Sequence, residues 1–161
     1  MEKKRDLANR FREVLLNGKW IANTNYKDNL SNLDWKQATK KVGTLNTISI
    51  LTQHVDYYIS GVLNVLNGGT LDIKDKFSFD FSEINSKEKW TDVVNKLLIN
   101  SEKFAQQIEN MPDEQLDHLF VKKEYGTYRR NIEAIIEHSY YHLGQISLIK
   151  KMILESDELN H

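Results

Sequence analysis

The sequence predicts an all-α protein, a four-helix bundle with one long crossover connection between the second and third helices. Only one proline and seven glycines occur in 161 residues, and both residue types disfavour helix interiors. Four long segments carry apolar side chains at intervals of three or four residues, which is the period of a helix with one buried face. Of the three connections between these segments, the one over residues 70–85 is the longest, as expected for a bundle with a single crossover.

The first two helices are predicted over about residues 3–30 and 44–66. The Asn17-Gly18 pair weakens the first segment, and we expect the helix to kink or break there. The second segment ends at Asn67-Gly68-Gly69, because glycine readily adopts the left-handed conformation that closes a helix. The predicted inward face of the first helix consists of Leu7, Phe11, Val14, Leu15, Ile21 and Ala22.

The third and fourth helices are predicted over about residues 86–110 and 128–154. Asn85, followed three residues later by Glu88, has the spacing of an amino-terminal cap, and Pro112 stops the third helix. The connection over residues 70–85 carries Phe77, Phe79 and Phe81 in alternation. A single strand would have no pairing partner, so we interpret this segment as an extended crossover that packs its aromatic side chains across helix ends. A short helical turn is expected near residues 114–119.

The three tryptophans, Trp20, Trp35 and Trp90, are predicted to be packing residues rather than platforms for a ligand. Of the five histidines, His118 and His161 have no apolar setting and are expected at the surface. The other three are the candidate site.

The composition excludes several classes of function. Twenty-two basic residues against 23 acidic ones give a net charge of −1, so nothing indicates binding to nucleic acid. The chain has no cysteine, which excludes disulfides, thiolate ligands and a cysteine nucleophile. The amino terminus lacks the apolar stretch of a secretory signal, and no segment has the length and apolarity of a membrane span. We expect a cytoplasmic protein with one domain over residues 1–161.

His138 and His142 are the most informative pair in the chain. Residues four apart share one face of a helix, so two imidazoles at this spacing can bind the same metal ion. His54, in the middle of the second helix, is the candidate third ligand, and three protein ligands leave a position open for water or substrate. An alternative is that all three are polar residues of the core without a metal, although unpartnered buried imidazoles are costly.

The same segment excludes two metal chemistries. Ser139 follows His138 where a zinc protease of the His-Glu-x-x-His type has its glutamate. The paired Glu-x-x-His motifs of di-iron bundles are also missing. No general base is assigned, because Glu137 points about 100° away from His138 around the helix. A mononuclear site is the remaining interpretation.

The order of the segments, His54 in the second helix and the stretch HSYYHLGQI over residues 138–146 resemble the DinB/YfiT-like superfamily of four-helix bundles. The resemblance covers essentially the whole chain. It implies a small, often dimeric protein with a divalent ion, zinc or nickel for example, held by His54, His138 and His142. Some members have a carboxylate where this chain has His138, which would make the present site one unit more positive.

The resemblance also implies an activity, a metal-dependent thiol transferase or isomerase that uses low-molecular-weight bacterial thiols. The interpretation from the residues is broader, a metal-dependent transferase or hydrolase acting on a small molecule, with Tyr58, Tyr141 and Gln145 near the substrate and the catalytic residues unassigned. Two alternatives remain at this point. The metal could only stabilise a non-catalytic binding protein, or the chain could be a dimerisation module whose interface contains Tyr57, Tyr140 and Phe77.

Overall fold

The computed structural model of the chain describes residues 2–161, with side chains from Lys3 onward. Six α-helices pack together and no β-strand occurs in this described part, which confirms the all-α prediction. Every helix within it falls short of the length or the apolarity that a membrane span requires. The helices are α1 (Glu2–Arg12), α2 (Tyr26–Ser31), α3 (Trp35–Ala38), α4 (Ile48–Leu66), α5 (Lys87–Asn110) and α6 (Tyr128–Leu159).

The first predicted helix breaks where the sequence indicated. After α1, one wide turn over Glu13–Asn17 ends with the Gly18 amide donating to the Glu13 carbonyl at 3.1 Å, and the chain then leaves the helix. It resumes at α2, where the Asn25 side chain caps the new helix. Gly18 and the asparagines thus produce a loop instead of a continued helix.

This loop makes the predicted packing of three residues wrong. Trp20 is 91% exposed and Ile21 is 65% exposed, and Ala22 is exposed as well, because the loop turns these side chains away from the core. The prediction holds for the other tryptophans. Trp35 packs half-buried against the core, and the buried Trp90 donates its indole N–H to the Leu33 carbonyl at 2.8 Å.

The remaining helix boundaries lie close to their predicted positions. Thr47 caps α4, and Gly68, with φ of 87°, follows its end. The cap of α5 is Ser86 rather than Asn85, because the Ser86 hydroxyl accepts from the Lys89 amide at 3.2 Å. α6 continues to Leu159, beyond the predicted end near residue 154. A short 3₁₀ turn over Asp113–Asp117 matches the helical turn expected there.

The core lies between the longer helices. α4 packs against α5 and α6, and α1 packs against the same two helices. Each contributes fully buried apolar side chains, and the ring centroids of Phe11 on α1 and Phe104 on α5 are 4.5 Å apart. Burial of this surface is the main driving force for folding. It also fixes the rotation of α4 and α6, and therefore the directions in which their polar residues point.

The connection over residues 70–85, here called the strap, crosses α4 without forming a strand, as predicted. Its Phe79 and Phe81 contact His54 and Tyr57 in the middle of α4, and not the helix ends where the aromatic side chains were predicted to pack. Its one regular feature is a 3₁₀ turn over Asp75–Phe77. The Tyr57 hydroxyl accepts from the Lys74 amide at 2.8 Å and donates to the Lys74 carbonyl at 3.0 Å. A Cβ on Gly61 would lie 2.6 Å from the Ile73 side chain. The strap therefore needs glycine at this point in order to lie directly on α4.

An ion-pair cluster joins α1 to α5. Arg12 binds both carboxylate oxygens of Glu109, at 2.6 and 3.0 Å, and also contacts Glu102 at 3.1 Å. The hydrogen bond to Glu109 raises the pKa of Arg12, and the same bond lowers the pKa of Glu109. The Arg12 side chain is only 17% exposed. A bidentate, partly buried pair of this kind contributes more to stability than an exposed one.

We predict that Arg12→Met lowers the free energy of unfolding by about 2 kcal/mol at neutral pH. Arg130→Met is the matched control, because Arg130 and Glu137 form an exposed pair whose side chains are 57% and 61% accessible. The control should change stability little. Because the folded-state pKa of Glu109 is lowered, its contribution is present above the unfolded pKa and is lost as the pH falls through the folded pKa. Urea unfolding of both variants tests this, and equal losses would contradict it.

Candidate metal centre

Packing of α4 against α6 brings the three predicted histidines together. The Nε2 atom of His138 lies 3.1 Å from Nε2 of His54 and 3.1 Å from Nε2 of His142. The ligand atoms of all three lie within 4.8 Å of one another. His54 and His142 are buried and His138 is half-buried. Within the described part of the chain, no carboxylate belongs to this group.

Two of the imidazoles are oriented by hydrogen bonds at their outer nitrogen. Nδ1 of His54 lies 2.7 Å from the Ser78 carbonyl oxygen, and Nδ1 of His142 lies 2.6 Å from Oε1 of Gln145. Both partners are oxygens that carry no hydrogen, so each Nδ1 must be the donor. In a neutral imidazole the other nitrogen then carries a lone pair. The Nε2 atoms of His54 and His142 therefore both present lone pairs to the centre of the cluster.

His138 cannot satisfy both of these neighbours. Its Nε2 atom faces Nε2 of His54 and Nε2 of His142, but a ring nitrogen carries at most one proton. If it is protonated, it donates to one neighbour and leaves the lone pair of the other without a donor, and if it is not, three lone pairs converge. A cation at the centre would satisfy all three nitrogens at once. Three convergent imidazole lone pairs are a donor set for a divalent cation.

Protonation of the cluster is disfavoured. Burial lowers the pKa of His138 to about 4, and repulsion from His142 and His54 contributes to the shift. Burial also lowers the pKa of His54 and of His142, although the hydrogen bonds to Ser78 and Gln145 act in the opposite direction. The three rings are therefore uncharged near neutral pH. Metal ligands must be in this neutral form in order to bind.

Aromatic side chains surround the cluster. Phe79 of the strap stacks on His54 with ring centroids 4.0 Å apart and an interplanar angle of 8°. Tyr58 directs its ring edge-on to His54 and His138, at 5.2 and 5.0 Å. Tyr141 makes a similar contact with His142 at 4.9 Å. Phe79 and Tyr141 are 48% and 65% exposed, so the cluster lies beneath an aromatic rim that reaches solvent.

The three residues predicted to contact a substrate occupy different positions. Gln145 orients His142, as described above. The Tyr58 hydroxyl donates to Oδ1 of Asp75 at 2.8 Å, which ties it to the strap. Tyr141 is the most open of the three. Glu137 is exposed and pairs with Arg130, in agreement with its exclusion as a base, and His118 and His161 are at the surface as predicted.

Sequence reasoning missed two contributions of the strap, the Ser78 carbonyl and the stacked ring of Phe79. The alternation of Phe77, Phe79 and Phe81 did indicate that aromatic side chains pack here, but it carried no information about their partners. A backbone carbonyl is present at every residue, so its contact with His54 leaves no signal in the sequence.

Comparison of the chain with protein-family models, with curated proteins and with solved structures found no match. The site itself consists of three imidazoles and the groups that orient them. Their tautomers, spacing and burial indicate what the cluster can bind.

We predict that the metal-free protein loses stability as the pH falls from about 6.5, the ordinary value for an unfolded histidine, to about 4, where folded His138 takes up its proton. The sign follows because the unfolded chain binds more protons across this interval. His138→Gln removes this contribution, so the free energy of unfolding of the variant should fall less steeply than that of the wild type as the pH decreases over this interval. Urea unfolding in a chelating buffer measures both profiles. His118→Gln changes an exposed side chain and is the control, and parallel profiles for His138→Gln and wild type would refute the prediction.

Proposed function

We propose that this chain binds one divalent metal ion through the Nε2 atoms of His54, His138 and His142. The observation that carries the proposal is that Nε2 of His138 lies 3.1 Å from Nε2 of His54 and from Nε2 of His142, while the latter two rings donate from Nδ1 to fixed acceptors. Zinc–nitrogen bonds of 2.0–2.1 Å in tetrahedral geometry separate the ligand nitrogens by about 3.3 Å. The two 3.1 Å separations from His138 are thus close to the spacing that binding requires.

Hydrogen bonds at the outer nitrogen are the usual support for a metal-binding histidine. They fix the tautomer and the ring orientation and increase the basicity of the ligand. His54 receives this support from the Ser78 carbonyl and His142 from Gln145. Imidazole suits zinc, nickel, copper and iron alike, and the resemblance to the DinB-like family favours zinc or nickel.

We also propose that the fold is a DinB-like four-helix bundle formed by α1, α4, α5 and α6. α1 contacts α5 and α6, and α4 contacts α5 and α6, as adjacent pairs do in such a bundle. The short helices α2 and α3 then belong to a connection, and the strap is the long crossover. The position of His54 on α4 and of the pair on α6 agrees with the resemblance.

The best-supported function is that of a metal-dependent enzyme acting on a small molecule, of the thiol transferase, isomerase or hydrolase type. Three protein ligands are typical of catalytic rather than structural sites, and the bound ion would lower the pKa of a coordinated thiol or water. The exposed ring of Tyr141, in contact with His142, provides an apolar surface beside that position. Tyr58 and Asp75 hold a hydroxyl and a carboxylate next to His138 and His54.

A second candidate function is favoured by the burial of the cluster. His54 is buried and is covered by the strap through Ser78 and Phe79. In this alternative, the ion only joins α4 to α6, and the protein is a non-catalytic binding module. The two functions differ in whether the ion has an exchangeable coordination position.

We predict that the untagged protein binds about one equivalent of zinc or nickel and that His54→Ala/His138→Ala/His142→Ala binds none. The double variant His118→Ala/His161→Ala is the matched control and should retain the metal. Gln145→Leu should weaken binding by about 10–100-fold, the usual effect of removing an outer-shell partner. Elemental analysis and competition with a chelator measure these quantities. A wild-type protein without metal, whose melting temperature is unchanged by added ions, would exclude the site.

We predict that the cobalt(II)-substituted protein changes its visible spectrum when a small thiol is added, because an open position would accept the thiolate. The triple-alanine variant, treated in the same way, provides the background spectrum. A wild-type cobalt spectrum that does not respond to the thiol would favour the non-catalytic alternative. In that case the ion would be bound, but it would have no coordination position open to an added ligand.

A further inference from the structure

A cavity of about 410 Å³ lies between α4, α5 and the strap. Asp56 lines it from α4 and is two residues from His54, which places the two side chains about 200° apart around the helix. None of the three clustered histidines lines this cavity. Its volume is within the range of small-molecule sites, which is about 300–1,000 Å³. It is therefore a separate candidate site.

A buried carboxylate lies in this cavity. Asp56 is only 5% exposed, and its Oδ1 atom accepts from the Asn100 amide at 2.8 Å. The same amide donates to the Ser60 hydroxyl at 3.0 Å. These contacts fix the orientation of the carboxylate. A buried carboxylate requires a positive partner, because isolated burial of a charge is very costly.

The positive partner of Asp56 is held far less firmly. Nζ of Lys96 lies 3.3 Å from Oδ2 of Asp56, but the lysine side chain is 68% exposed whereas that of Asp56 is 6% exposed. A lysine on a flexible stem is well solvated when released. The ammonium of Lys96 can therefore leave for water at little cost, provided that another cation takes its position beside Asp56.

The walls of the cavity are aromatic and apolar, which suits the uncharged part of an organic cation. Tyr57 and Phe81 both line it, with ring centroids 6.3 Å apart and nearly perpendicular planes. Aromatic faces attract ammonium and guanidinium groups. Ile73 and Val93 add apolar surface. The cavity thus combines one fixed negative charge with an aromatic and apolar wall.

We propose that this cavity binds a small organic cation, a primary ammonium or guanidinium group on a compact apolar body, whose charge replaces that of Lys96 beside Asp56. Asp72, which also lines the cavity, adds a second carboxylate that disfavours anions. A neutral molecule of the same shape would leave the Lys96–Asp56 pair in place and would gain no charge contact.

Phenethylamine is the probe, and 2-phenylethanol and phenylacetate are its neutral and anionic counterparts. Titration calorimetry should show binding of phenethylamine alone. Asp56→Asn preserves the shape of the side chain and should weaken binding at least about ten-fold, since it removes the paired charge. Lys96→Met removes the competing ammonium and should bind phenethylamine several-fold more tightly. Val93→Trp fills the cavity without changing Asp56, and it should abolish binding even if Asp56→Asn fails to fold.

The triple-alanine variant of His54, His138 and His142 should bind phenethylamine as the wild type does, so this proposal and the metal proposal fail independently. Equal affinity for 2-phenylethanol would overturn the proposal, as would unchanged affinity in Asp56→Asn or Val93→Trp. The proposal would also be overturned if neither the wild type nor Lys96→Met bound phenethylamine at millimolar concentrations. Loss of binding in the folded triple variant would refute the separation of the two sites.

Discussion

The packing of α4 against α6 is the contact on which the candidate metal centre depends. His54 comes from the first of these helices and His138 and His142 from the second, so no single element contains the donor set. Apolar burial sets the rotation of both helices, and the histidine side chains point where that rotation directs them. The pair on α6 is arranged by helix geometry alone, whereas its distance from His54 is a property of the folded core. Metal affinity, if the site binds an ion, therefore reports on tertiary packing.

Much of this arrangement could be predicted from the sequence, since it is encoded in local patterns. The apolar period located the long helices, and the spacing of His138 and His142 indicated a shared face. The incorrect predictions have local causes as well. Residues 17–25 retain some helical period, but Gly18 and the neighbouring asparagines favour a loop, which leaves Trp20 in solvent. At α5 two adjacent residues can cap a helix, and the hydroxyl of Ser86, in an extended backbone conformation, is the group that accepts from the Lys89 amide.

What the sequence could not indicate depends on contacts between distant segments. The hydrogen bond from His54 to the Ser78 carbonyl and the stacking of Phe79 follow from the path of the strap over α4. Asp56 and Asn100 are 44 residues apart, and nothing in either local pattern indicates that they meet. α4 thus carries two buried ionisable side chains on different faces, the imidazole of His54 and the carboxylate of Asp56. Local departures from an apolar core of this kind often mark functional positions.

The position of the strap has a kinetic consequence. Its hydrogen bonds to α4 are made at His54, Tyr57 and Tyr58 and, nearer the end of the helix, at Asn64, whose amide donates to the Thr70 carbonyl. The same segment covers His54 with Phe79 and lines the neighbouring cavity with Ile73 and Phe81. Segments of a folded protein open locally at free energies that range from nearly zero up to that of global unfolding. One opening event would therefore uncover His54 and the strap side of the cavity together, so that an ion and a small molecule exchanging by this route would share one rate.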